Sequence, residues 1–153
     1  GNRSILANPS IEGMKDKINK EVKLREAFRP FAPIILDKKV DELLSVKTLL
    51  GAEKIHSYML LAAKAKPLLK KIAPSIVHVD GSVRPQVVLK KNNQVLYELL
   101  NQFYLLSEIP VLLNTSFNIR GEPIVCTPID AIKCFFGTGL DILVLGDFII
   151  EKN

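Results

Sequence analysis

Apolar and polar positions alternate along this chain in blocks that predict an α/β protein. Residues Gly1–Gly13 read as irregular, with Asn8-Pro9-Ser10 as a turn. Met14, Ile18 and Val22 recur at four-residue spacing among lysines and acids, which predicts a helix over Met14–Lys23. Pro30 and Pro33 then lead into the apolar run Ile34-Ile35-Leu36, read as a strand entering the core. Asp37–Leu44 reads as a short amphipathic helix, followed by a loop to about Ile55. Ser57–Ala63 is apolar enough for a strand, and Lys64–Lys71 reads as a basic, solvated loop around Pro67. Ile76–Leu89 reads as strand, turn and strand, with Asp80-Gly81 as the turn. Asn92–Glu108 carries the clearest helical stripe, in Leu96, Leu99, Leu100, Phe103 and Leu106. Val111-Leu112-Leu113 predicts a buried strand. Thr127 is placed to cap a helix that has Pro128 at its first position and ends near Phe136, before Gly137-Thr138-Gly139. Asp141–Glu151 gives two short strands around Gly146-Asp147, a hairpin. Strands and helices alternate without internal repeats. The expected class is therefore α/β, one domain, with mixed strand pairing.

The stretch Pro110–Val125, PVLLNTSFNIRGEPIV, stands out from this pattern. An apolar strand ends abruptly in Asn114-Thr115-Ser116-Phe117-Asn118, four polar side chains in five residues. A strand that delivers amides and hydroxyls at its C-terminal end is the usual construction of a ligand site in an open α/β sheet. The same composition also suits a solvated turn. A second concentration of chemistry lies at Lys23, Arg25 and Arg29. If Lys23-Leu24-Arg25 is extended, Lys23 and Arg25 project from one face, where two cations repel unless an anion lies between them. Arg84 sits where the chain re-enters a strand after a turn, a rigid base from which to reach a phosphate.

Composition narrows the choice. The 153 residues are 48 % apolar, so the chain can bury a real core. No apolar run reaches the length of a membrane span, and the first residues carry no signal-peptide pattern. The chain does not begin with Met, so it is expected to be a piece of a longer protein. Cys126 and Cys134 match no metal or redox spacing and are expected to be buried free thiols in a reducing cytoplasm. Two histidines, His56 and His78, are too few for a metal centre, and no metal is expected in this chain. The net charge of +5 favours an anionic partner without naming it. Trp is absent and aromatics are few, so a base-stacking platform would have to use Tyr and Phe.

Five blocks now stand in order: GNRSILANP, MKDKIN followed by VKLREAFRPFAP, HVDGSVRPQ, PVLLNTSFNIRGEPIVCTPIDAIKCF and GLDILVLGDF. Together, and over nearly the whole chain, they resemble the C-terminal domain of the nodulation-protein type O-carbamoyltransferases. The resemblance implies a YrdC-like fold, a twisted, mixed β-sheet with flanking helices forming a single domain over residues 14–153. Residues 1–13 would be the linker or tail of a preceding N-terminal domain. It further implies that the domain binds carbamoyl phosphate and ATP with Mg²⁺ and forms carbamoyl adenylate. The carbamoyl group would then pass to a hydroxyl acceptor in the N-terminal domain, a partner expected to carry the iron. YrdC-like proteins have a Lys-x-Arg pair and a Ser-x-Asn pair, matched here by Lys23-Leu24-Arg25 and Ser116-Phe117-Asn118. Lys23, Arg25, Ser116 and Asn118 are thus the expected catalytic residues. Arg29, Arg84, Asn114, Thr115 and Arg120 are the expected binders of carbamoyl phosphate and ATP. Pro85 and Val83 depart from the residues more usual in the family at those positions, without touching the chemistry. No side chain is expected to act as a covalent nucleophile. A cytoplasmic location and no membrane contact complete the expectation. The rival is a basic RNA-binding module without catalysis, nucleic acid being the less expected partner.

Overall fold

The computed structural model describes residues 2–45 and 56–152. The chain is a mixed α/β domain. Its centre is a four-stranded sheet with the order β1-β6-β2-β5, built from Ser4–Ala7 (β1), Val111–Ser116 (β6), Ala32–Leu36 (β2) and Gln86–Val88 (β5). β2 runs parallel to β5 and antiparallel to β6, and β6 is antiparallel to β1, so the sheet is mixed as expected. Every residue of β2 is buried, as a strand covered on both faces requires. On one face Ile35, Val111, Leu113 and Phe117 pack with Leu43, Leu69 and Phe135. On the other, Ile34, Leu36, Val88 and Leu112 pack under Leu96 and Leu100 of the helix Gln94–Ser107 (α4).

These registers gather four chain ends at one end of the sheet. Ser116 at the C-terminus of β6 faces Ser4 at the start of β1. Asn114 faces Ala32, where β2 begins, and β5 starts beside β2 at Gln86. The segment before β2, the loop after β6 and the entry to β5 therefore emerge together.

Several predicted elements fold as read. The helix Pro128–Phe136 (α5) is capped by Thr127, whose hydroxyl accepts from Asp130 N while the Asp130 carboxylate accepts from Thr127 N. Ile142–Leu145 (β7) and Phe148–Glu151 (β8) form the expected hairpin. Asp37–Lys39 and Val40–Leu43 (α2) give the short helical segment. The loop expected after it, over 46–55, lies outside the described residues.

Other elements differ. Ser4–Ala7, expected to be irregular, forms an edge strand of the main sheet. The helix over Met14–Lys23 is α-helical only at Met14–Lys17 (α1) and widens into a π-turn at Ile18–Val22. Residues Ser57–Ala63 are not a strand; only Ala63–Lys64 (β3) is extended, paired with Ser82–Val83 (β4). The expected basic loop contains the helix Pro67–Ile72 (α3), with Pro67 at its first turn, where a missing N–H costs nothing. The 76–89 stretch is not a hairpin. It begins as a 3₁₀ turn at Pro74–Ile76, turns at His78–Gly81, and sends β4 and β5 to different partners. In α4, Leu99 and Leu106 face solvent, so the buried stripe is narrower than the sequence pattern. Cys126 is exposed, while Cys134 is buried as expected.

Candidate functional site

A cleft of about 220 Å³ opens at the shared end of the sheet, lined by Lys23, Arg25, Arg29, Ser116, Asn118, Ile119, Arg120 and Gly121. Its first wall comes from the segment between the π-turn and β2. The wide turn closes with Lys23 N donating to Ile18 O at 2.8 Å, one residue further back than in an α-helix. Leu24 then adopts φ 48°, a left-handed conformation that a leucine holds at a cost of about 1–2 kcal/mol. Lys23-Leu24-Arg25 is therefore not extended. The kink separates the two cations, and both still line the cleft by different routes.

Lys23 is 5 % exposed. Its Nζ lies 3.0 Å from Ser116 O, 3.3 Å from Ser116 Oγ, 2.7 Å from Asn118 O and 2.6 Å from Asn118 Oδ1. Three ammonium hydrogens thus serve four oxygens, two on Ser116 at the end of β6 and two on Asn118 in the loop that follows. Burial first, and the neighbouring Arg25 second, push its pKa down to about 8. The loop is further ordered by Ser116 Oγ donating to Asn118 Oδ1 at 2.6 Å and Asn118 Nδ2 donating to Glu122 O at 2.8 Å.

Arg25 is fixed from behind. Its Nε donates to Asn19 Oδ1 at 2.7 Å, an Nη donates to Pro30 O at 3.3 Å, and its guanidinium lies 4.7 Å from the Phe31 ring centroid. Burial, then Arg29, lowers its pKa. Asn19 is 1 % exposed, and its amide also donates to Ala27 O and Arg29 O. One amide thereby holds the 25–30 turn in place. Asn19 was missing from the sequence-based set. The available signal was a short neutral amide beside Ile18, in a stretch whose other polar residues are charged.

Glu26 was likewise absent from that set. Its Oε2 pairs with Arg29 Nε at 3.0 Å and its Oε1 with Arg120 Nη1 at 3.5 Å. Its carboxyl is held below the usual range, first by a hydrogen bond from its own backbone and then by Arg120 and Arg29.

Six of the nine expected site residues therefore converge: Lys23, Arg25, Arg29, Ser116, Asn118 and Arg120. Three lie elsewhere. Asn114 is buried on the α4 face of β6, where its Nδ2 donates to Gln86 Oε1 at 3.0 Å across β2. Thr115 faces the opposite side, opposite Ile5. Arg84 is exposed at the entry to β5, at the same end of the sheet but outside the cleft lining. Among the described residues no cluster of three or more His, Cys, Asp or Glu is arranged to hold a metal ion, and no helix is long and apolar enough to cross a membrane.

Comparison with known proteins places this geometry in a family. Residues 1–152 match the model described as carbamoyltransferase C-terminus. Nodulation protein NolO of Bradyrhizobium diazoefficiens is 40 % identical over 153 residues, all of this chain and 27 % of that protein. Nodulation protein NolNO of Sinorhizobium fredii is 40 % identical over 153 residues, 22 % of its length. Nodulation protein U of Rhizobium tropici is 40 % identical over 122 residues, covering 80 % of this chain and 20 % of that protein. The chain thus spans about a quarter of the length of these relatives, and it belongs to the carbamoyltransferase C-terminus family.

Proposed function

We propose that this chain is the adenylate-forming domain of an ATP-dependent O-carbamoyltransferase with a YrdC-like fold. The observation that carries the reading is the cleft itself. Four cations and a hydroxyl–amide loop converge at the C-terminal end of an apolar strand, in a chain of the carbamoyltransferase family.

In this reading carbamoyl phosphate gives its phosphoryl group to water, leaving carbamate and phosphate. A carbamate oxygen then attacks the α-phosphorus of ATP, forming carbamoyl adenylate and releasing pyrophosphate. The first step releases two anions from one and the second brings two anions together, so catalysis is mainly positioning and neutralisation. Arg25, Arg29 and Arg120 offer guanidinium groups to phosphate oxygens. Lys23 keeps Ser116 and Asn118 in one arrangement and adds positive charge at the inner wall. Asn118 Nδ2 keeps one hydrogen to donate to a carbamoyl oxygen, and the Ser116 hydroxyl, which donates to Asn118 Oδ1 at rest, would turn to serve the ligand. Mg²⁺ accompanies ATP. The carbamoyl acceptor, and the iron centre that serves it, belong to a separate N-terminal domain, and the enzyme works in the cytoplasm.

The test is carbamoyl-phosphate-dependent exchange of labelled pyrophosphate into ATP, with Mg²⁺. Exchange that requires carbamoyl phosphate is the expected result. Absence of exchange together with absence of ATP and carbamoyl phosphate binding by calorimetry would overturn the reading.

A further inference from the structure

Arg29 and Arg120 come from opposite walls of the cleft, the first from the turn before β2 and the second from the loop after β6. Among the described residues, each has one ion-pair partner, and it is the same one. Glu26 gives a separate carboxylate oxygen to each, at 3.0 and 3.5 Å. Two oxygens of one anion bridging two arginines is also how a phosphate would sit between them. We propose that Glu26 is an exchangeable counter-ion, holding Arg29 and Arg120 across the cleft mouth until the oxygens of a phosphate or pyrophosphate ligand replace its carboxylate. The inference rests on the anion-binding reading above and gives it a regulating residue.

Exposure favours exchange. The side chains of Glu26, Arg29 and Arg120 are 38, 52 and 63 % exposed; Glu26 Oε2 is itself shielded from solvent, but no hydrogen bond fixes it, so breaking these pairs costs little. Arg25 differs, because its partners are a neutral amide, a carbonyl and a ring, none of which competes with an anion. The charge balance also has a purpose. With the Glu26 carboxylate paired to two of the four lining cations, an excess of three positive charges is left for a ligand. Without Glu26 the excess would be four, and a released polyanion such as pyrophosphate would leave more slowly. Glu26 therefore trades affinity for release. It also discriminates against weak monoanions, which repay less than the two pairs they must displace.

Calorimetric titration of pyrophosphate into wild type, Glu26→Gln and Glu26→Asp tests this. Glu26→Gln is expected to bind roughly 3–10-fold tighter at low salt, the gain closing as salt approaches about 1 M. Glu26→Asp keeps the charge and is expected to stay within about twofold of wild type. Equal or weaker binding by Glu26→Gln would overturn the proposal, since Glu26 would then be a fixed strut for the two arginines. Equal tightening in both variants would also overturn it, by placing the effect in side-chain length. Tighter binding by Glu26→Gln without any pyrophosphate exchange would keep the counter-ion and remove the carbamoyl reading. No pyrophosphate binding by any of the three proteins would overturn both.

Discussion

The inner wall and the rim of the cleft are both cationic, yet they are built on opposite principles. At the inner wall Lys23 is almost fully buried and committed to four oxygens of two nearby residues, Ser116 and Asn118. At the rim Arg29 and Arg120 are more than half exposed and share one carboxylate. A buried cation surrounded by protein oxygens is part of the fold, because removing it strands its partners. An exposed ion pair adds little to stability, so its charges remain available to a ligand. The same charge type thus organises the site at one position and recruits to it at another.

The largest expected effect breaks the inner wall. Lys23→Met keeps the apolar stem but leaves Ser116 Oγ and Asn118 O without their donor, while Asn118 Oδ1 and Ser116 O keep a second one in Ser116 Oγ and Asn118 N. It should lower stability by about 2 kcal/mol, a Tm fall of roughly 4–8 °C, and reduce pyrophosphate exchange about 100-fold or more. Calorimetric melting with the exchange assay checks both. A variant with normal Tm and lost exchange would make Lys23 a ligand contact and not a strut. Ser116→Ala is milder, because Lys23 retains Asn118 O and Oδ1. About 1 kcal/mol of stability and roughly 10-fold of exchange should go.

Lys23 also gives the comparison a pH axis. Its folded-state pKa is about 8, below the ordinary lysine value of 10.5. The unfolded chain therefore holds this proton more tightly between those limits, and the group's contribution to stability rises with pH from about 8 to 10.5. Anion binding goes the other way, since it needs the charged ammonium. Pyrophosphate affinity should fall as pH rises past about 8, with proton uptake on binding visible as a dependence of the calorimetric heat on buffer ionisation enthalpy. A flat affinity between pH 7 and 9, once pyrophosphate's own ionisation over that range is subtracted, would detach Lys23 from the ligand.

How far this was legible in the sequence depends on how local each signal is. The cap at Thr127, the β7–β8 hairpin and the strand at Val111-Leu112-Leu113 rest on neighbouring residues and fold as read, although the strand runs on through the polar residues to Ser116. The parallel pairing of β5 with β2 joins residues about fifty apart, and nothing in Gln86-Val87-Val88 announces it. Pro67 after a lysine was a helix-start signal that the lysine-rich composition concealed. The two motif pairs located the cleft, but not its geometry. Leu24 has no residue-level reason to adopt a left-handed φ; tertiary contacts of Lys23 and Arg25 on either side impose it. Asn114, Thr115 and Ser116 look equivalent as a polar run. Strand alternation and the position of Gln86 divide them, sending Asn114 to a partner in β5 and Ser116 to Lys23.

The rim predictions are the smallest and the most selective. Arg120→Ala should weaken pyrophosphate binding about 3–10-fold at low salt and leave stability within roughly 0.5 kcal/mol. Arg84 extends the comparison beyond the cleft. It emerges at the start of β5, two strands from β6, at the end of the sheet where the cleft lies. A short ligand such as pyrophosphate can be held by the cleft cations alone, while a nucleotide is long enough to reach past β2. Arg84→Ala should therefore weaken ATP about 3–10-fold and change pyrophosphate by less than about twofold, both read by calorimetry. An equal loss for the two ligands would mean that the entry to β5 closes onto the cleft when an anion binds. The rim would then have a third arginine, brought in by movement and not by the resting fold.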